Sequence, residues 1–266
     1  MLQVESHDDV TRLHFSTWRS RAVGYSVSCY VVRGVVIDAA FDGVGPELLR
    51  WIRANRPAGV VVTHGHDDHA GNAGLLARNA VPMWMSPGTE RFLRTPQRRG
   101  WYRRWAWGGM PLLMHDVTPF VPEALEMIPT PGHSPDHHVV WDPSRETLFA
   151  ADLFLGVKVK VAHAPPREDV REQAKSIRRA LALRPRRIFD AHKGLLRDGF
   201  GLLTAKADWI EQTVGRIDRR IAEGWSDRAI VREIFGGEAT FAYTTGGDWS
   251  RVNFVASVRS TRPPAA

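Results

Sequence analysis

The ten residues Thr63-His64-Gly65-His66-Asp67-Asp68-His69-Ala70-Gly71-Asn72 decide the reading of this chain. They follow the apolar run Val60 to Val62, which after Pro57 and Gly59 reads as a buried strand. They lead into Ala73, Leu75, Leu76 and Ala80, whose spacing predicts a helix beginning near His69. On the extended part His64 and His66 point to one side, and the turn into the helix brings Asp68 and His69 round to a neighbouring point. Four side chains able to bind a metal thus converge locally. Imidazole and carboxylate are the ligands of zinc in catalytic sites, and imidazole also suits iron, nickel or copper. A polar loop that merely happens to hold three histidines leaves their place at a strand-to-helix junction unexplained.

Working outward, three more residues of the same chemistry stand in the same kind of place. His133 follows the turn Pro131-Gly132, Asp152 ends the strand predicted over Leu148 to Ala151, and His192 follows Ile188 and Phe189. Each lies just past a predicted strand, where open sheets place their ligands. Taken singly, each reads as an ordinary turn residue.

The remaining pattern alternates strand and helix. Residues 26–38 read as two strands with Arg33 and Gly34 at the turn, Pro46 opens a helix carrying Leu48, Leu49 and Ile52, and residues 81–85 form another strand. Residues 136–141 and 147–151 read as paired strands around Asp142-Pro143-Ser144. Asp169 precedes a helix with Val170, Ala174, Ile177 and Leu181 on one face. Beyond His192 the chain turns helical: Leu203, Ile210, Val214, Ile217 and Ile221 share a face, Gly224 stops that helix, Ser226 caps a second, and a third spans 248–258. Residues 261–266 read as a frayed tail.

Composition narrows the chemistry. Cys29 is the only cysteine, which excludes an internal disulfide and any multi-cysteine metal cage. With 43% hydrophobic residues there is enough apolar material for a substantial core. The first 24 residues hold Glu5, Asp8, Asp9, Arg12, Arg19 and Arg21 and no apolar run of signal-peptide length, and no stretch approaches the ~20 apolar residues of a membrane span. The expectation is a soluble, cytoplasmic protein without a transmembrane segment. The net charge of +7 speaks first of solubility and non-specific association, and secondarily of an anionic partner. It is concentrated in residues 91–107, where Arg91, Arg94, Arg98, Arg99, Arg103 and Arg104 interleave with Trp101, Tyr102, Trp105 and Trp107. That mixture suits single-stranded nucleic acid, an anionic lipid surface, or a lid whose aromatic residues pack on the protein while its arginines stay in water.

The order His-Gly-His-Asp-Asp-His (64–69), Pro-Thr-Pro-Gly-His-Ser (129–134), Ala-Ala-Asp (150–152) and Asp-Ala-His-Lys-Gly (190–194) resembles the metallo-β-lactamase superfamily over roughly residues 20–194. The resemblance implies an α/β fold, the four-layer αββα sandwich, with residues 1–199 as the metallohydrolase domain and 200–266 as a C-terminal helical extension. It implies a dinuclear site of two zinc ions, with iron or manganese as alternatives. His64, His66 and His133 would hold one ion, Asp68, His69 and His192 the other, and Asp152 would bridge them. Asp38 would orient a ligand. Seven ligands leave positions open for a shared, metal-bridging hydroxide and for substrate, so the implied activity is hydrolysis. Asp68 and Asp152 take the catalytic roles, Asp68 relaying a proton to the leaving group. The expected substrate is a small ester, thioester or lactone; the alternative is phosphodiester cleavage in single-stranded nucleic acid. Two departures matter. Lys193 stands where many members carry a small residue, and at the rim of the site it would favour an anionic substrate. Cys29 is far from every ligand motif, so antibiotic hydrolysis by the cysteine-liganded lactamases is not implied.

Overall fold

Alternation along the strands dictates the layering, because successive side chains of a strand leave opposite faces of its sheet. The computed structural model describes residues 1–96 and 100–262, so Arg98 and Arg99 of the basic segment and residues 263–266 of the tail lie outside the described residues. The first sheet runs in sequence order through β1 (Leu2–His7), β2 (Val10–Phe15), β3 (Val27–Val32), β4 (Val35–Ile37), β5 (Gly59–Val61) and β6 (Met83–Trp84). Seven strands follow: β7 (Glu126–Pro129), β8 (His138–Asp142), β9 (Thr147–Phe149), β10 (Ala162–His163), β11 (Arg187–Asp190), β12 (Gly194–Leu195) and β13 (Trp249–Ser250). Five of them make the second sheet in the order β12-β11-β9-β8-β7, while β10 pairs with β13. β4, β5 and β6 are parallel, as are β9 and β11.

Helices cover both outer faces. The first half supplies α1 (Trp18–Ala22), α2 (Gly45–Asn55), α3 (Asp67–Ala70), α4 (Ala73–Arg78), α5 (Pro87–Arg94) and α6 (Trp101–Trp107). The second supplies α7 (Val170–Ala182), α8 (Gly199–Ala222), α9 (Asp227–Phe235), α10 (Thr240–Thr244) and α11 (Arg251–Ser260). Three apolar layers result. Val36, Val60 and Val62 face Leu48, Ile52 and Leu76 of the first helical layer. Their neighbours Val35, Ile37 and Val61 face Val140, Phe149 and Phe189 across the two sheets. Val139, Trp141, Leu148 and Ile188 face the other way, onto Ile177, Leu203, Ile210 and Val255. β5, β8, β9 and β11 are thus covered on both faces, which is why they read as continuous apolar runs. The order helix, sheet, sheet, helix is the αββα sandwich.

The structure departs from expectation in several places, among them the late segment, where β13 and α10 were not expected and the helix read over 248–258 runs from Arg251 to Ser260. β1 and β2 form a hairpin at the N-terminus that was read only as too polar for a signal peptide; β1 is an edge strand with half-exposed side chains, and the turn relies on Asp8 at φ 54° rather than on glycine. The helix expected from His69 begins at Asp67 and is interrupted after Ala70, where Asn72 turns its amide to the carbonyls of Ala39 and Phe41. Of the basic segment, residues 91–94 close α5 and residues 101–107 form α6.

α8 also carries a lysine with no access to water. Lys206 is 1% exposed, and its Nζ donates to the carbonyls of Leu153 (2.8 Å) and Phe154 (2.7 Å), fastening the chain just after Asp152. Burial holds its pKa down to about 8. A depressed folded-state value means a penalty fully present below about pH 8 and relieved as the pH rises towards the unfolded value of about 10.4, worth about 3 kcal/mol over that window. Wild-type stability relative to Lys206→Met is therefore expected to rise between about pH 8 and 10. A pH-independent difference in denaturation midpoints would contradict it.

Candidate metal centre

Strand ends bring the chemistry to one edge of the sandwich. The segment after β5 carries His64, His66, Asp68 and His69; the turn after β7 carries His133; Asp152 follows β9 and His192 follows β11. All seven fall into two groups whose candidate ligand atoms lie within 4.8 Å of one another: His64, His66, His133 and Asp152 in one, Asp68, His69, Asp152 and His192 in the other. Asp152 belongs to both through different oxygens. Its Oδ2 is 3.1 Å from His133 Nε2, while its Oδ1 is 3.1 Å from both His69 Nε2 and His192 Nε2. His66 Nδ1 faces His64 Nε2 at 3.1 Å and His133 Nε2 at 2.9 Å. Asp68 Oδ2 stands 3.6 Å from His192 Nε2 and 3.9 Å from His69 Nε2.

Hydrogen bonds alone do not satisfy this cluster, and its donor set suits metal ions. Ligands about 2.1 Å from a tetrahedral ion stand roughly 3.4 Å apart. His69 Nε2 and Asp152 Oδ1 are buried without a hydrogen-bond partner, a state that costs free energy unless something else occupies the lone pairs. The far ring nitrogens are meanwhile engaged. His69 Nδ1 lies 2.7 Å from Asp38 Oδ2 and His192 Nδ1 lies 2.7 Å from the Ser26 carbonyl, which places a ring proton at each Nδ1 and turns each Nε2 inward. Burial and the adjacent rings push His64 and His66 well below the usual histidine value. For Asp152 burial acts the other way, yet His69 and His192 hold its carboxyl well below the usual range. Burial is likewise outweighed at His192, which Asp152 carries up to about 9.

Several supporting residues escaped the sequence reading. Asp136 accepts from the backbone N–H of Gly65 and the hydroxyls of Thr89 and Ser134, so it shapes the His64–His66 turn. His137, fully buried, pairs through Nδ1 with the Thr130 hydroxyl and accepts from the Asp152 backbone N–H. Asp190 accepts from the backbone of His192, Lys193 and Leu155. Nothing in a single sequence separates these from ordinary strand and turn residues. Asp38 does stand where it was expected, and it also accepts from the Thr63 N–H and hydroxyl. Lys193 is exposed and does not line the opening above the centre.

Gly132 sets the position of His133. Its φ is 136°, and a Cβ there would meet the backbone nitrogen of Gln173 at 2.3 Å. Gly132→Ala is expected to cost at least about 1–3 kcal/mol of stability and to lower metal content by displacing His133. Unchanged thermal unfolding with full metal content would refute this.

Above the two groups opens a chamber of ≈ 310 Å³ with Tyr25, Trp101, Tyr102, Trp107, Phe241 and Trp249 in its wall. α6, from the Arg- and Trp-rich segment, supplies one side, and α10 with the chain up to Trp249 supplies another. Trp107 is buried against Phe41 and Tyr25. Burial pushes Tyr25 up to about 12, so it stays a neutral phenol. Arg103 is the chamber's one described arginine, and it is not free. Its guanidinium grips the Asp67 carboxylate through Nε (3.0 and 3.1 Å) and Nη2 and stands 3.8 Å from Asp68 Oδ1. Asp248 accepts from the Tyr102 hydroxyl (2.6 Å) and Arg167 (2.5 Å), and lies 3.5 Å from His163 Nδ1, so it fastens α6 to the C-terminal segment.

Known proteins share these features. The model of the Metallo-beta-lactamase superfamily matches residues 22–192. The probable metallo-hydrolase YybB of Bacillus subtilis is 28% identical over 139 residues, which are 50% of this chain and 61% of that protein. A beta-lactamase-like protein 2 homolog of Caenorhabditis elegans is 26% identical over 143 residues, 50% of this chain and 41% of that protein. Both matches thus span less than two thirds of the relative's length. The mono-zinc form of the metallo-beta-lactamase FIM-1 from Pseudomonas aeruginosa superposes with a TM-score of 0.57 at 17% identity, covering 79% of this chain and 95% of that one. At such identity the likeness is one of fold.

Proposed function

Because the chain belongs to the metallo-beta-lactamase superfamily and is a hydrolase of that fold, we propose that it uses two transition-metal ions, zinc first, to cleave an ester, thioester or lactone with a bulky apolar part. His64, His66 and His133 would hold one ion, Asp68, His69 and His192 the other, and Asp152 both. When bound, such ions lower the pKa of water to about 7 and polarise a carbonyl, so a nucleophile exists at neutral pH.

The chain's own residues do the rest. Asp38 and the Ser26 carbonyl keep His69 and His192 in the tautomer that turns Nε2 inward. Asp68, at the chamber floor, is assigned the proton transfer to the departing oxygen or sulfur. The aromatic walls exclude water and hold the apolar part of the substrate over the centre.

The observation that carries this reading is the chamber itself. A phosphodiester needs cations to meet its charge, whereas the chamber's walls are largely aromatic and Arg103 is already spent on Asp67. Purified protein tested on an aryl ester, a thioester, a lactone, a simple phosphodiester and single-stranded RNA is expected to turn over a carbonyl substrate, to lose that activity on chelation and to regain it with zinc. Faster, metal-dependent cleavage of the phosphodiester or RNA would replace this reading with the nuclease one.

A further inference from the structure

The mouth of the chamber is ringed by apolar side chains that the fold leaves in water. Trp101, on the chamber wall, is 68% exposed, and Trp18 on α1, which packs on the chamber residue Trp105, is 65% exposed. They form a continuous rim. Trp18 packs edge-on against Trp105 of α6 (5.8 Å between ring centres), and Tyr102 of the same helix packs edge-on against Phe241 of α10 (6.2 Å). Val23 and Phe241 extend the rim and are themselves exposed. Monomeric soluble proteins rarely gather exposed large side chains in this way without a partner for them.

Charge is distributed to match. Arg19 and Arg21 on α1 and Arg104 on α6 are exposed, and among the described residues none of them has a carboxylate partner; Arg19 lies over the Trp18 ring at 5.3 Å. The chain as a whole carries +7. Tryptophan and tyrosine rings with an apolar body and a polar edge settle at the boundary between lipid tails and headgroups, and arginines beside them reach anionic headgroups. A single-stranded nucleic acid would use the same residue types, but it calls for a cationic groove that follows the backbone. Here the rim leads instead into an aromatic chamber whose arginine is neutralised.

We propose that this rim docks the chamber mouth on an anionic lipid surface, which presents a lipophilic carbonyl substrate to the metal centre. The docking stands on the rim alone; only the presentation of substrate rests on the hydrolase reading above. Trp18, Trp101 and Phe241 enter the headgroup layer, while Arg19, Arg21 and Arg104 pair with lipid phosphates. A substrate partitioned into the lipid then reaches the aromatic walls without crossing bulk water.

The test is sedimentation of the full chain with phosphatidylcholine vesicles with and without phosphatidylglycerol, followed also by tryptophan fluorescence. Binding to the anionic vesicles only, weakened by salt and accompanied by a blue shift, is expected. Arg19→Glu with Arg21→Glu, and separately Trp18→Ser, are expected to reduce vesicle binding at least about tenfold. None of these residues lines the chamber, so turnover of a small soluble ester should stay unchanged and serves as the check that each variant is folded. Vesicle binding absent from the wild type, or undiminished in both variants, would overturn the proposal. So would tighter binding of a single-stranded oligonucleotide that displaces the vesicles, or a concentration-dependent dimer that protects Trp18 from quenching. An inactive wild type that still binds anionic vesicles would leave docking in place and remove the hydrolase reading alone.

Discussion

Asp152→Ala is expected to lower bound metal from about two ions per chain to one or fewer and to reduce turnover by at least about 100-fold, the upper range for losing a mere supporting group. The size of the effect follows from the two oxygens. One carboxylate faces His133 on one side and both His69 and His192 on the other, each at 3.1 Å, so its removal opens both donor groups at once. His66→Ala opens only the group containing His64 and His133 and is expected to release at least one ion together with most activity. Metal content by mass spectrometry, read beside circular dichroism, separates loss of ligands from loss of fold. Full metal and full turnover in both variants would show that the centre lies elsewhere.

Arg103→Met is expected to destabilise the protein by about 3–5 kcal/mol, the range for breaking a buried ion pair by deleting one partner. Asp67 is 1% exposed and cannot exchange the guanidinium for water without local rearrangement. The pair joins α6 to the segment bearing four candidate ligands, so the damage reaches function. α6 remains tied to Asp248 through Tyr102, and a folded variant with a loosened chamber wall should show a raised KM for bulky esters more than for small ones. Asp67→Asn in the same chain should recover part of the lost stability, since it removes the stranded charge. A loss below about 1 kcal/mol on denaturant unfolding would show that the pair behaves like a screened surface bridge.

Those two cases mark what the sequence reveals and what it hides. The parallel strands were legible because β5, β9 and β11 are covered on both faces and their apolar runs end on a charged or aromatic-poor turn, as at Val62-Thr63-His64 and Ala151-Asp152. The seven candidate ligands were legible for the same reason: four share the segment past the end of β5, and His133, Asp152 and His192 each stand just past another strand end. The N-terminal hairpin was hidden because an edge strand has no buried face to enforce alternation. The residues that shape the centre from behind were hidden because their roles depend on distant partners. Asp136 meets Thr89 across 47 positions, and Tyr102 meets Asp248 across 146. Arg103 was one of six arginines in a segment read as suited to nucleic acid, a lipid surface or a lid, and only the fold shows it turned inward onto Asp67.

The chamber wall contributed by the chain around Asp248 separates two kinds of inheritance. Every candidate ligand is in place by residue 192, whereas Phe241, Thr244, Thr245 and Trp249 shape the space above them. Selection acting on what the enzyme accepts can therefore rework the late segment while the reaction centre stays fixed, much as loops diversify activity on a constant scaffold. Two relatives with identical ligands and different residues at 241–249 would be expected to share a chemistry and differ in diet.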